Sequence, residues 1–199
     1  LLTMAATIPV YGRLADIYGR KRVFFVGTSI FLVGTVLCGF ARSTEILILD
    51  RAIQGFGSGA IQPIAMTVIG DVYTPTERAR VQGWTSAVFG LAAVVGPALG
   101  AFLVQHVHWS LVFWINLPIG LLAIAMFAIL LPETAPRRRH SLDYLGGILL
   151  MIGVGALMLA LVQARTLGIA QVLALVAVGA VSLVALFAHE RRTPEPMLP

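Results

Sequence analysis

Gly12-Arg13-Leu14-Ala15-Asp16-Ile17-Tyr18-Gly19-Arg20-Lys21-Arg22 decides how this chain is read. Four cations, one carboxylate and two glycines crowd together there, with strongly apolar sequence on both sides. Such a stretch is expected where a chain turns at a membrane surface. Gly12 and Gly19 permit tight turning and close helix approach. Asp16 is the one anion available to the amides of a helix start or to a neighbouring cation. On charge alone the stretch reads as a solvated, positive turn.

The composition around it fits a membrane. The chain is 58% hydrophobic and 12% charged, with a mean hydropathy of +0.91. Soluble domains carry about 25% charged residues. Several apolar runs approach the ~20 residues that cross a bilayer as a helix. Lipid offers the backbone no hydrogen bonds, so helices are expected, and strand-period alternation is too weak for an outer-membrane barrel. The formal net charge of +5 is spread over short connections between apolar runs, which argues for membrane topology over nucleic-acid binding. Cys38 is the single cysteine, so neither an intrachain disulfide nor a thiolate metal site is expected. His106 and His108 lack a supporting ligand set, so no metal or other cofactor is expected. No phosphate-binding loop or nucleophile constellation points to an enzyme.

The apolar runs fall at about 1–11, 23–41, 46–72, 82–105, 111–131, 144–164 and 169–188. The first reads as the end of a helix, and both chain ends read as cut, so a piece of a larger protein is expected. Of the 14 Lys and Arg, eleven lie on one side: Arg13, Arg20, Lys21, Arg22, Arg78, Arg80, Arg137, Arg138, Arg139, Arg191 and Arg192. Arg42 and Arg165 lie on the other, and Arg51 lies within a run. The positive-inside rule makes connections 12–22, 74–80, 132–143 and 189–199 cytoplasmic. Trp109 and Trp114 suit an outer interfacial belt. The run Arg137-Arg138-Arg139 suits topology and contact with anionic membrane lipid.

Three further stretches carry side chains of note. Arg51, Gln54, Ser58 and Gln62 recur at helical spacing and form one polar stripe. An arginine inside a span faces protein or a water-filled cavity. Asp50, beside it, sits about one turn from the outer end, where snorkelling to the surface is the alternative. Gly55 and Gly59 form a small-xxx-small pair for close packing. In the second stretch Gly96, Pro97 and Gly100 give a smooth face and a bend. Asn116, near the outer end of its run, either bonds backbone freed by Pro118 or touches cargo.

The order Gly-x-Leu-Ala-Asp-x-x-Gly-Arg-Lys-Arg at 12–22 resembles the signature loop between helices 2 and 3 of the major facilitator superfamily. Leu47-x3-Arg51-x2-Gln54-Gly55-x-Gly57 resembles that family's fourth-helix motif. Gly83-x8-Ala92-x3-Gly96-Pro97-x2-Gly100-Ala101 resembles the fifth-helix antiporter motif, with Ala92 and Ala101 replacing glycines. Trp109 to Gly120 resembles a segment of the fourteen-span drug:proton antiporters, departing at Ser110 and Leu111.

The resemblance covers the whole chain and implies an all-α polytopic membrane bundle with a partial major facilitator fold. Residues 1–131 would supply the end of helix 2 and helices 3–6, without helix 1. Residues 132–143 would be a basic cytoplasmic loop, 144–188 an extra central helix pair, and 189–199 a cytoplasmic connection to a second half. Proton-driven efflux of drugs or small organic molecules by alternating access is implied, in the plasma (inner) membrane of a bacterium. Partners are then protons, small-molecule cargo and membrane lipid. A conformational latch is implied for Gly12, Asp16, Gly19, Arg20, Lys21 and Arg22, with Asp71 and Arg78 as partners. Proton coupling is implied for Arg51 with Asp50, and cavity or cargo contact for Gln54, Ser58, Gln62 and Asn116. A nutrient symporter or uniporter, or a non-transporting membrane scaffold, remains open as an alternative.

Overall fold

The computed structural model describes residues 2–131 and 143–191. The rest of the expected basic loop, 132–142, and of the closing connection, 192–199, lies outside the described residues. Helices are α1 (Leu2–Tyr18), α2 (Arg20–Phe40), α3 (Thr44–Ser58), α4 (Ile61–Val72), α5 (Pro75–His106), α6 (Leu111–Trp114), α7 (Asn116–Leu130), α8 (Tyr144–Val162) and α9 (Ile169–Glu190). Among the described residues there is no strand. Among the described residues, five helical stretches are long and apolar enough to cross a membrane: α2, α5, α6 with α7, α8 and α9.

The seven expected runs correspond to these helices, but three boundaries move. The charged stretch at 12–22 is mostly helix. α1 continues to Tyr18, and Gly19 alone makes the turn, at φ 91° and ψ 141°. That left-handed backbone strains any L side chain, so glycine is the residue that fits. The apolar run 46–72 is divided at Gly59 and Ala60, where the Ala60 amide bonds the nearer Gly57 carbonyl at 3.2 Å. Pro63 has no N–H for the Gly59 carbonyl, which explains the interruption. α5 begins at Pro75, well before the expected run. Pro75 suits a first helical position, and the Glu77 carboxylate accepts from the Thr74 amide at 2.9 Å and its hydroxyl at 2.8 Å. Ser43 caps α3, with its Oγ accepting from the Ile46 amide at 3.3 Å.

α3 packs against α2 on one side and α1 on another, through glycines. A Cβ on Gly34 would lie 2.5 Å from the Gln54 amide nitrogen, and one on Gly57 would collide with that of Phe31. A Cβ on Gly55 or Gly59 would meet Thr3 or Thr7 of α1. In lipid, helices associate by such close packing, because apolar burial gives little advantage over lipid tails. Deeper in the bundle Tyr11, Ala15, Val23, Phe24, Ala60 and Ile64 form one buried cluster. Phe127 of α7 closes it by stacking on Phe24, with centroids 3.8 Å apart.

α8 and α9 form a hairpin whose α8 side packs on α1. Its start is fixed by Asp143, whose Oδ1 accepts from the Gly146 amide at 2.8 Å and bonds His189 Nε2 of α9 at 2.9 Å. Burial pushes the Asp143 carboxyl up. Those two bonds, then the charges of His189 and Arg13, outweigh it and hold the group below its ordinary value. Arg13 thereby links α1 electrostatically to the hairpin. No residue of α5 is buried among the described residues. Gly96 and Gly100 have nothing within 4 Å of an added Cβ, so the smooth face there meets no described helix.

Candidate functional site

Two polar constellations stand at different levels of the bundle. The first gathers helix ends at the positive face. The Arg20 guanidinium pairs with Asp71 of α4, and its Nη1 also donates to the Thr67 carbonyl at 3.4 Å. Lys21 Nζ donates to the Ala128 and Leu131 carbonyls, at 2.7 and 2.9 Å, and so caps α7. Arg78 caps α4: Nε donates to Tyr73 O at 2.9 Å, and Nη2 donates to Gly70 O. Cations at helix C-termini satisfy the last carbonyls and oppose the helix dipole. Asp16 is exposed on α1, and no bond joins it to Arg20, Asp71 or Arg78 among the described residues. Arg22 is likewise exposed. Gly12 has nothing within 4 Å of an added Cβ, whereas Gly19 makes the turn that starts α2 at Arg20.

The second constellation lies where α2, α3 and α6 meet. Arg51 Nη1 donates to Gln54 Oε1 at 2.7 Å. Gln54 Nε2 donates to Thr35 Oγ1, also at 2.7 Å, and the Thr35 hydroxyl donates to the Phe31 carbonyl at 2.8 Å. The proton inventory closes in one direction. Thr35 spends its single hydrogen on Phe31, so it accepts from the Gln54 amide, and the Gln54 oxygen therefore faces Arg51. Cys38 Sγ lies 3.9 Å from that oxygen as a weak further donor. The Arg51 guanidinium also stands over the Phe113 ring, with Cζ 4.5 Å from the centroid.

Gln54 and Thr35 are 5% and 0% exposed, while Arg51 is exposed. A buried polar pair thus anchors a cation on an open face. Buried amides and hydroxyls are costly unless bonded, and these are bonded. The Gly34 approach makes the Gln54–Thr35 bond reachable, since it brings the two helix backbones together there.

Other expected members are placed differently. Asp50 is 8% exposed, so it does not snorkel out among the described residues. Ser58 Oγ donates to its own helix at Gly55 O, 2.9 Å away. Gln62 is exposed and lies on α4 beyond the interruption, so the stripe is not carried by one continuous helix. Asn116 Nδ2 donates to Phe113 O at 3.1 Å and Val112 O at 3.4 Å, capping α6. Thr35 and Phe113 were not among the expected site residues. Thr35 carries a legible signal, a hydroxyl inside an apolar run. Phe113 carries none, because an aromatic residue in such a run reads as lipid or core contact.

The family model described as Major Facilitator Superfamily matches residues 1–189. The chain is 40% identical over 201 residues to "Multidrug resistance protein 3" of Bacillus subtilis, covering 100% of this chain and 39% of that protein. It is 37% identical over 202 residues to "Multidrug transporter protein MdtP" of the same organism, covering 100% of this chain and 37% of the relative. It is 34% identical over 198 residues to "Multidrug export protein EmrB" of Haemophilus influenzae, covering 98% of this chain and 39% of the relative. The chain thus spans about two fifths of the length of these relatives.

Proposed function

Because this chain belongs to the Major Facilitator Superfamily, we propose that it serves in proton-driven efflux of small organic molecules across a bacterial inner membrane. The observation that carries this reading is the Arg51–Gln54–Thr35 network. It fixes a permanent cation on an open face of a spanning bundle, where a charge is expensive to keep and marks a transport or proton path. The names of the relatives, multidrug resistance and export proteins, supply the cargo class and the direction. Arg51 brings a cationic, donor-only guanidinium. Its role is electrostatic: it stabilises the ionised form of a carboxylate that faces it, and so ties that group's proton release to conformation. Asp50 is close in sequence to this field, and Gln54 is the buried anchor that keeps it in place.

The Arg20–Asp71 pair is the latch in this reading. Its side chains are 19% and 52% exposed, so its worth lies in the range of surface pairs, about 0.2–1 kcal/mol. A preference of ~1 kcal/mol shifts a two-state ratio about fivefold, far short of the ~5.5 kcal/mol that drives 1:99 to 99:1. The pair therefore tunes alternating access and does not enforce it. Arg20→Asp is expected to slow transport severalfold, and Arg20→Asp with Asp71→Arg to restore most of the rate. A double variant no better than the single one would count against the latch.

The reading as a whole is tested with the full-length protein in proteoliposomes. An acid lumen should drive ethidium, a fluorescent organic cation, into the vesicles, and a protonophore should collapse the uptake. Uptake indifferent to the pH gradient would reject proton-driven exchange.

A further inference from the structure

We propose that Phe113 is a positioning residue for Arg51, holding the guanidinium through its ring face. This rests on the coupling role proposed for Arg51 and names the group that keeps it aimed. Gln54 grips the guanidinium by one N–H, at Nη1. A single hydrogen bond fixes a distance but leaves the guanidinium plane free to swing on its flexible stem. The second grip is the Phe113 ring, whose negative face attracts a cation most strongly where water is scarce. No other described residue accepts a hydrogen bond from Arg51, so its remaining donors are left for an anion on the open face.

The ring suits that task because it is itself immobilised. Phe113 is 6% exposed and sits in the single-turn helix α6. Trp109 packs edge-on against it, with ring centroids 5.9 Å apart. The Asn116 amide donates to the Phe113 carbonyl at 3.1 Å. The turn is tied to the outer end of α2 by Ser110, whose Oγ donates to the Gly39 carbonyl at 2.7 Å. The Trp114 ring occupies the space that a Cβ on Gly39 would need. α2 therefore supports Arg51 twice, through Thr35 and Gln54 below and through α6 above. A guanidinium so held presents the same edge whether its anionic partner is charged or neutral. A loosely held one would follow the partner, and the coupling would slip.

Leucine keeps apolar bulk at position 113 but has no ring quadrupole, while tyrosine and tryptophan keep one. Full-length protein in proteoliposomes is compared in two modes, ethidium uptake driven by an acid lumen and ethidium exchange without a pH gradient. Phe113→Leu should lower the maximal gradient-driven rate roughly 2- to 30-fold, the range that corresponds to cation–π contacts from exposed to desolvated sites. It should leave KM and gradient-free exchange unchanged. Phe113→Tyr or Phe113→Trp should restore the driven rate. In an Arg51→Ala background, Phe113→Leu should change nothing further. Equal loss in the leucine and both aromatic variants, or loss of driven uptake and exchange together, would make Phe113 a packing residue and overturn the proposal. So would a driven rate unaffected by leucine while Arg51→Ala abolishes it. If driven uptake survives Arg51→Ala, the coupling role fails first and takes the positioning role with it.

Discussion

Arg51→Ala is expected to lower gradient-driven ethidium uptake by roughly 100-fold, about 2.7 kcal/mol on the transport barrier, with the protein still inserted and folded. The size follows from the coupling role proposed for Arg51: losing one partner of a charge pair that is desolvated as it forms costs on the order of 2–5 kcal/mol. Folding should survive because the bundle does not depend on the guanidinium. Arg51 is exposed, and Gln54 keeps its bond to Thr35 when the arginine is gone. Arg51→Lys separates charge from shape. An ammonium keeps the charge but lacks the planar fork that bonds Gln54 and lies on the Phe113 ring. It should recover only part of the driven rate. The measurements are initial rates of uptake with an acid lumen, alongside thermal unfolding in detergent. A variant that transports normally would remove Arg51 from the mechanism, and one that fails to fold would make it structural.

Gly34→Leu is expected to destroy the α2–α3 seam and with it both folding and transport. A Cβ at this position meets the Gln54 amide nitrogen at 2.5 Å, its Cα at 2.6 Å and its own Cβ at 2.8 Å. Two of those atoms are backbone, so no side-chain rotation relieves the clash. Ordinary carbon contacts lie at about 3.5–4.0 Å, so the helices must part by about 1 Å even for alanine. Overpacking of that kind costs about 1–3 kcal/mol for small additions, and leucine adds three more carbons. Separation also breaks the 2.7 Å bond that anchors Gln54. Gly96→Leu is the control, because nothing lies within 4 Å of its added Cβ among the described residues. It should leave the stability of this bundle unchanged. Thermal unfolding of both variants decides the matter. A Gly34→Leu protein as stable as the parent would show that α2 and α3 do not approach as described.

Much of this architecture is legible in the sequence because each spanning helix carries its own evidence. Apolar length, Lys and Arg asymmetry, and local punctuation such as Ser43 and Thr74-Pro75 identify segments without any knowledge of their neighbours. Pro63 likewise accounts for the interruption near Gly59, although an apolar run conceals it. The extent of α1 is harder to see. Arg13 to Tyr18 reads as a loop by charge, yet arginine, leucine and alanine are good helix formers, and a helix is free to continue past the lipid.

The site divides in the same way. Arg51 and Gln54 are legible from polarity at helical spacing, and Arg20 with Asp71 from complementary charge at the same face. Thr35, Phe113 and the Asp143–His189 tie join segments distant in the chain, and periodicity within one segment says nothing about which faces meet. The direction of the Gln54 amide needed the whole donor and acceptor count. Asp16 shows the reverse: its charge marks it in the sequence, and it stands exposed and apart from Arg20 and Asp71.

Coupling is reciprocal: if protons drive cargo, cargo must drive protons. The most direct measurement is therefore lumenal pH in proteoliposomes that contain the full-length protein, start with no pH gradient and receive ethidium outside. Antiport predicts a lumen that becomes alkaline as ethidium enters, with the change lost in Arg51→Ala. A lumen that turns acidic would mean that protons and cargo move together. Ethidium entry without any pH change would mean that they are not coupled, and either result would contradict the account.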